Sequence, residues 1–181
     1  MKYSDFDLVR GIKSGDKSAL DLLIHRWYPR IYGYVFKLIR HEQDSYDVTQ
    51  DIFIAVMQNI KNYYPWKKFD SWLFTIAHNK CMDFFRMQQR VGPPENADID
   101  LPDAAPLLDE TVVVSVTIKN ALTKLSAPQR EVVLLYYFYQ YTAKEIAQIT
   151  NTPLPTIKSL IVTAKKILAR YLREDFKRIN K

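Results

Sequence analysis

The residues best suited to chemistry are Tyr63, Tyr64, Trp66, Lys67, Lys68, Phe69 and Trp72, which set rings and cations side by side in NYYPWKKFDSW. Flat rings stack on unpaired bases, at about 1–3 kcal/mol per base, while cations meet the phosphates between them. Pro65 and the paired lysines mark a loop. The alternative for these rings is a place in the core of the adjoining helices, which suits Phe69 best. Tyr64, Trp66, Lys67, Lys68 and Trp72 remain the candidates for holding a melted strand.

A helical pattern follows from about Ser71 to Arg90, SWLFTIAHNKCMDFFRMQQR. Leu73, Phe74, Ala77, Cys81, Phe84 and Phe85 fall on one broad apolar face, and Trp72, Ile76, Asn79, Asp83, Arg86 and Arg90 form a line opposite. Two readings stay open for that line. Asp83 and Arg86 are spaced as an i,i+3 ion pair, and Asn79 with the arginines has the chemistry to reach base edges and phosphates.

The pattern from about Asp44 to Ile60 divides the same way at about 100° per residue. Val48, Ile52, Val56 and Ile60 gather on the core side. Asp47, Gln50, Asp51, Ile54, Met57 and Gln58 lie on the other. A purely solvated face has little use for Ile54 and Met57, so this mixed stripe reads as a docking surface for another protein, with scattered surface apolar residues as the alternative.

A third candidate lies around NTPLPTIKS, Asn151 to Ser159, where two prolines precede a helical pattern. Thr142 and Glu145 form a capping box for a short helix ending near Ile149. Thr152 is then the N-cap of a long helix, with Pro153 at its first position and Pro155 at its third. Neither proline removes a hydrogen bond there, because the first four amides of a helix have no intrahelical partner. Ile157, Ile161, Ala164, Leu168 and Tyr171 make the inner face; Thr156, Lys158, Ser159, Val162, Thr163 and Lys166 make the outer one. Short helix, tight turn and long helix predict a helix-turn-helix whose second helix enters a major groove N-terminus first, with a plain helical hairpin as the alternative. Lysines suit phosphate or guanine, and Val162 and the threonine methyls suit the methyl of thymine.

Catalytic motifs are missing. His41-Glu42 has Ser45 where a zinc-binding HExxH needs its second histidine, and the four glycines of the chain form no phosphate-binding loop. No enzyme and no cofactor are expected.

These segments need elements to position them, and helical periodicity runs through nearly all of the chain. Its 181 residues, 48% hydrophobic and 25% charged, can bury one good core or two small ones. Upstream, Ser4 precedes Leu8, Val9 and Ile12, Gly15 stops that helix, and Asp16 is the N-cap of a long apolar stretch through Leu38, kinked at Pro29. Charge falls in three blocks. Residues 1–90 carry 14 Lys/Arg against 10 Asp/Glu, residues 91–115 carry six acids and no base, and residues 116–181 carry 12 bases against four acids. The middle block, with Pro93, Pro94, Pro102 and Pro106, reads as an acidic tether between two basic helical units. Basic units imply a polyanionic partner. Cys81 is the single cysteine, so an intrachain disulfide is excluded and a reducing, cytoplasmic setting is expected. No leader-type segment or run of 18 apolar residues is present, so no membrane insertion is expected.

Taken together, these segments resemble the sigma-70 family of bacterial transcription initiation factors, in its short extracytoplasmic-function group. DSYDVTQDIFIAVM, residues 44–57, is similar to that family's core-polymerase-binding helix, with Gln50 and Asp51 as its Gln-acidic pair. FDSWLFTIAHNKCMDFFR is similar to its promoter-melting and −10 helix, and LSAPQREVVLLYYFYQYTAKEIAQITNTPLPTIKSL to its −35-binding region. The resemblance implies an all-α protein of two small helical domains: region 2 over residues 1–90, an acidic linker over 91–115 and region 4 over 116–181. It implies that core RNA polymerase, through its β′ clamp and β flap, and promoter DNA, duplex and single-stranded, are partners, with an anti-sigma factor besides. On that footing Asp47, Gln50, Asp51, Ile54 and Met57 meet polymerase. Tyr64, Trp66, Lys67, Lys68, Trp72, Asn79, Asp83 and Arg86 meet the −10 strand, and Lys144, Thr156, Lys158, Ser159, Val162, Thr163, Lys165 and Lys166 meet the −35 duplex. The chain departs from the family pattern at Tyr46, Pro155, Leu160 and Thr163, where an acidic residue, a glycine and two arginines are usual. Fewer cations on the recognition helix shift −35 affinity toward Lys144, Lys158, Lys165 and Lys166.

The tether has a geometric consequence. Two promoter elements about two helical turns apart lie on the order of 70 Å from each other. A flexible linker of this length averages only about 30 Å, and reaches about 80 Å when fully extended. A larger machine must hold it stretched, and the resemblance implies that it threads toward polymerase's RNA exit path. Each unit alone then binds promoter weakly. The rival expectation is an autonomous helix-turn-helix regulator with its own dimer interface.

Overall fold

The structure is a computed structural model that describes residues 3–64, 68–91 and 120–179. The chain divides into two compact units, Met1–Pro102 and Asp103–Lys181. Among the described residues all regular structure is helical. Apart from Val91, the acidic block 91–115 lies outside the described residues.

The first unit starts with α1, Asp5–Lys13, opened by a capping box: the Asp7 amide donates to Ser4 Oγ at 3.1 Å, and the Ser4 amide donates to Asp7 Oδ2 at 3.0 Å. The Ser4 hydroxyl also holds the Asp7 carboxyl below its usual range. Gly15 turns the chain at φ 92°, a conformation open to glycine, and the Asp16 carboxylate caps α2, Lys17–Ile39, through the amides of Ser18 and Ala19. Gly11 brings α1 against α2 closely enough that a Cβ there would stand 2.9 Å from the Ala19 Cβ. Helix α2 runs on through Pro29, which is exposed, so the carbonyl bond it forgoes faces solvent. Arg40, at φ 68°, ends it.

Helix α3, Glu42–Asn59, begins two residues before the expected Asp44 because His41, outside the usual capping set, serves as N-cap: its Nδ1 accepts from the Asp44 amide at 3.4 Å. A 3₁₀ turn, Ile60–Asn62, closes it. Helix α4, Phe69–Val91, also starts two residues early. Its first turn is held by the Trp72 amide bonding to the Lys68 carbonyl and by Phe69 packing on Trp27, Tyr63 and Trp72.

The core of this unit centres on Tyr34 and Phe74, both fully buried and edge-to-face with centroids 5.2 Å apart. Leu23, Ile31, Leu38, Ile52, Leu73, Ala77 and Cys81 close around them. Ser45 and Thr49 are buried as well, and each donates its hydroxyl to the carbonyl one turn earlier, at 2.6 Å in both cases. Phe84 and Phe85, expected inside, are half-buried, so the close cover of α4 ends after Cys81, which is fully buried.

In the second unit a helical segment at 120–123 leads into α5, Ala127–Val133, which passes into a π-helical turn at Leu134–Phe138. Arg130 is buried and donates to the carbonyls of Leu122 and Leu125, both at 3.1 Å, tying the two segments together. Then come α6, Ala143–Ile149, and α7, Leu154–Ile179. The start of α7 is shifted from expectation by one residue. Its first intrahelical acceptor is the Pro153 carbonyl, bonded by the Ile157 amide at 3.1 Å, so Pro153 stands at the cap and Pro155 at the second position. Thr152 does not cap it; its hydroxyl donates back to the Thr150 carbonyl. The Pro155 ring has no N–H for a cap to receive, which removes one of the amides such a cap would serve. On the inner face Ile157 and Ala164 are fully buried, while Ile161, Leu168 and Tyr171 are only half-buried.

All three tryptophans, Trp27, Trp66 and Trp72, belong to the first unit, so their fluorescence reports that unit alone. Phe74→Ala should destabilise it by about 3–5 kcal/mol through transfer and cavity costs together. Urea denaturation followed by tryptophan emission should show a large drop in midpoint, and an unchanged midpoint would contradict this account of the core.

Candidate polymerase and nucleic-acid interfaces

Because α3 commits Val48, Ile52, Phe53 and Val56 to the core, its opposite side is turned outward. Asp47, Gln50 and Asp51 are exposed there, with Ile54 at 45% and Met57 at 41% exposure among them. Gln43 donates to the Asp47 carboxylate at 3.1 Å. The stripe expected from the sequence is therefore brought together on one face. Beside it lies a feature that sequence reasoning missed. Tyr28, Tyr32 and Phe36 on α2 stack in succession at 6.2 and 6.0 Å, and Tyr28 stacks on Phe53 of α3 at 5.7 Å. Their i,i+4,i+8 spacing was the available signal. Burial pushes the Tyr28 and Tyr32 phenols up, and Tyr46 stands exposed nearby.

The aromatic loop splits in two. Tyr63 and Phe69 are core residues, with Tyr63 held at its carbonyl by Lys13 Nζ at 2.6 Å and its phenol pushed up by burial and by Asp5 and Asp70. Trp72 is half-buried, tilted on Tyr63 at 5.1 Å. Tyr64, 57% exposed, and Lys68 face solvent. Trp66 and Lys67 lie outside the described residues. An open hollow of about 360 Å³ is lined by Asp5, Phe6, Trp27, Tyr63, Lys68, Phe69 and Asp70.

Along α4, Asn79, Asp83 and Arg86 are exposed on the side away from Leu73 and Phe74. Of the two readings of this line, the ion pair forms: Arg86 Nη2 lies 2.6 Å from Asp83 Oδ1. Both side chains are more than half exposed, and such pairs contribute about 0–1 kcal/mol. A backbone phosphate carries the same single charge as the carboxylate and can take its place in so exposed a pair, so the pair does not withdraw Arg86 from binding.

The second unit places a helix-turn-helix. The Thr142–Glu145 capping box is complete, with the Glu145 amide on Thr142 Oγ1 at 3.2 Å and the Thr142 amide on Glu145 Oε2 at 2.9 Å. The turn is closed by the Thr150 hydroxyl on the Ile146 carbonyl, by the Thr152 amide on the Ala147 carbonyl and by Asn151 at φ 47°. Every residue expected to meet the −35 duplex is exposed: Lys144 on α6, and Thr156, Lys158, Ser159, Val162, Thr163, Lys165 and Lys166 on α7. Among the described residues no helix is long and apolar enough to cross a membrane.

Comparison with known proteins agrees with this arrangement. Residues 23–91 match Sigma-70 region 2, and residues 115–168 match Sigma-70, region 4. The chain is similar to the ECF RNA polymerase sigma factor SigK of Mycobacterium sp. (strain KMS), 31% identical over 86% of this chain and 84% of that one. It is also similar to the ECF RNA polymerase sigma factor SigW of Bacillus subtilis (strain 168), 26% identical over 92% and 95% of the two chains. Among solved structures, the sigma factor RpoE of Bartonella quintana, in complex with the anti-sigma factor NepR, shares the fold at a TM-score of 0.70, with 22% identity over 83% of this chain and 94% of that one.

Loss of the α6 cap should loosen the helix-turn-helix without touching the first unit. Thr142→Ala is expected to cost the second unit about 1 kcal/mol. Far-UV circular dichroism of the full chain should then show an earlier unfolding component while the tryptophan transition stays in place. A shared shift of both signals would count against the two units unfolding separately.

Proposed function

The chain belongs to the extracytoplasmic-function group of the sigma-70 family and acts in transcription initiation with RNA polymerase, and on that premise we propose how its two units divide the work. Residues 1–90 dock on core polymerase and hold the −10 strand, residues 116–181 read the −35 duplex, and residues 91–115 span the gap. The observation that carries this reading is the outward face of α7, where Thr156, Lys158, Ser159, Val162, Thr163, Lys165 and Lys166 are all exposed behind a capped short helix and a tight turn. A major groove admits such a helix, with lysines on phosphates and the small side chains at base edges.

In the first unit, Asp47, Gln50, Asp51, Ile54 and Met57 meet the β′ clamp. The apolar pair supplies contact area and the acids orient a basic partner surface. Tyr64, Trp66, Lys67, Lys68 and Trp72, with Asn79, Asp83 and Arg86, then receive the unpaired −10 strand. Stacking an extruded base favours the open over the closed duplex by the difference in binding energy between them, with no hydrolysis. The protein is a regulator, and the bond-forming chemistry belongs to polymerase. An anti-sigma factor, which the Bartonella relative binds, would compete for the same outward faces.

Run-off transcription on a promoter library, with and without core enzyme, tests this. Promoter-dependent transcripts should appear with core present, and tight binding of a defined duplex by the chain alone would instead support an autonomous regulator. Asp51→Arg should weaken association with core about tenfold or more while leaving the fold intact, since the side chain is exposed. Trp66→Ala should reduce permanganate reactivity of the −10 thymines more than it reduces closed-complex affinity; equal losses in the two would refute the proposed division between melting and duplex binding.

A further inference from the structure

The outer face of α7 has a narrow centre and two unlike flanks. At about 100° per residue, Pro155, Ser159, Val162 and Lys166 fall along the middle. Lys158 and Lys165 flank one side of that strip, and Thr156 and Thr163 flank the other. All eight are exposed. Residues 154–166 contain no Arg, Asn, Gln, Asp or Glu. This stretch therefore lacks the guanidinium and carboxamide forks that grip guanine and adenine, and the carboxylates that accept from cytosine. Lys158 and Lys165 sit to the side, where the groove wall of phosphates lies, and Lys166 is beyond the N-terminal turns that lead into the groove.

What remains at the centre is Val162, with Pro155 and Ser159 on its N-terminal side. Val162 is 53% exposed, the most exposed large apolar residue described in its unit. Valine is β-branched and gains nothing from a solvated helix surface, where its stiff χ1 lowers helix propensity. Its inner neighbours Ile161 and Ala164 take the packing positions. The only apolar group that a base pair offers in the major groove is the C5 methyl of thymine.

We infer that Val162 is a specificity-determining residue that packs its methyl groups on the C5 methyl of one thymine in the −35 duplex. Sequence choice at that base pair then comes from methyl burial, while the lysines supply affinity indifferent to sequence. The inference rests on the reading of α7 as the −35 recognition helix.

Deoxyuridine differs from thymidine by that methyl alone. Holoenzyme reconstituted from the full chain and core polymerase is to be bound to a promoter taken from the run-off selection, with each −35 thymine on either strand replaced singly by deoxyuridine. One replacement should weaken binding about three- to fivefold, the effect of one methyl leaving its contact. Val162→Ala, a change at an exposed position to a better helix former, should bind the thymine and deoxyuridine promoters equally. If transcription is promoter-dependent yet no replacement weakens binding, or if Val162→Ala keeps the discrimination, the inference falls and the −35 assignment survives. If no promoter-dependent transcript appears with any template, both fall together.

Discussion

The edge-to-face contact of Tyr34 with Phe74 locks the rotation of α4 about its own axis, and which side chains the helix turns outward follows from that lock. With Leu73, Phe74, Ala77 and Cys81 at zero exposure, the turns from Leu73 to Cys81 are not free to roll. Asn79, Asp83 and Arg86 are outward for that reason alone. The same restriction acts on α3, where Ile52 and Val56 are inside and Ile54 and Met57 are therefore presented. A unit this small has few helices with which to hide apolar surface, so each helix commits one face to the core and has one face to offer a partner.

Electrostatics in the free chain is correspondingly soft. Arg26 with Asp5 links α2 to α1 and is more covered, but Arg86 with Asp83 and Arg10 with Asp7 are exposed pairs three residues apart. They hold side chains in place weakly and exchange readily for a phosphate or a partner's charge. Buried polar groups are treated otherwise. Arg130 is fixed by the Leu122 and Leu125 carbonyls of the preceding segment, and Ser45 and Thr49 are satisfied within one turn of their own helix, so these residues maintain architecture and leave binding to the surface.

The helix-turn-helix shows how local chemistry and tertiary context share the outcome. Thr142, Glu145 and the two prolines announce a helix end, a turn and a helix start, because capping and proline geometry act over three or four residues. The exact start of α7 escaped that logic by one residue, since the Thr152 hydroxyl found a partner in the preceding turn. The cap of α3 escaped it too, because the His41 imidazole accepts an amide proton only when the chain presents it at the right angle.

From its order alone, the sequence determined the helical class, the division into two basic units, the faces of α3, α4 and α7, and the segments that resemble a sigma factor, since each depends on periodicity and spacing along one helix. Tertiary structure decided which rings of the aromatic loop are core and which are exposed: Tyr63 is covered by Phe69 and Trp72, and Tyr64 next to it is not. It also decided that the rings of α2 meet Phe53 of α3 beside the exposed stripe of that helix, and that Phe84 and Phe85 stand half-open. Those outcomes depend on which helix lies alongside, and packing between distant segments leaves no periodic trace in either one.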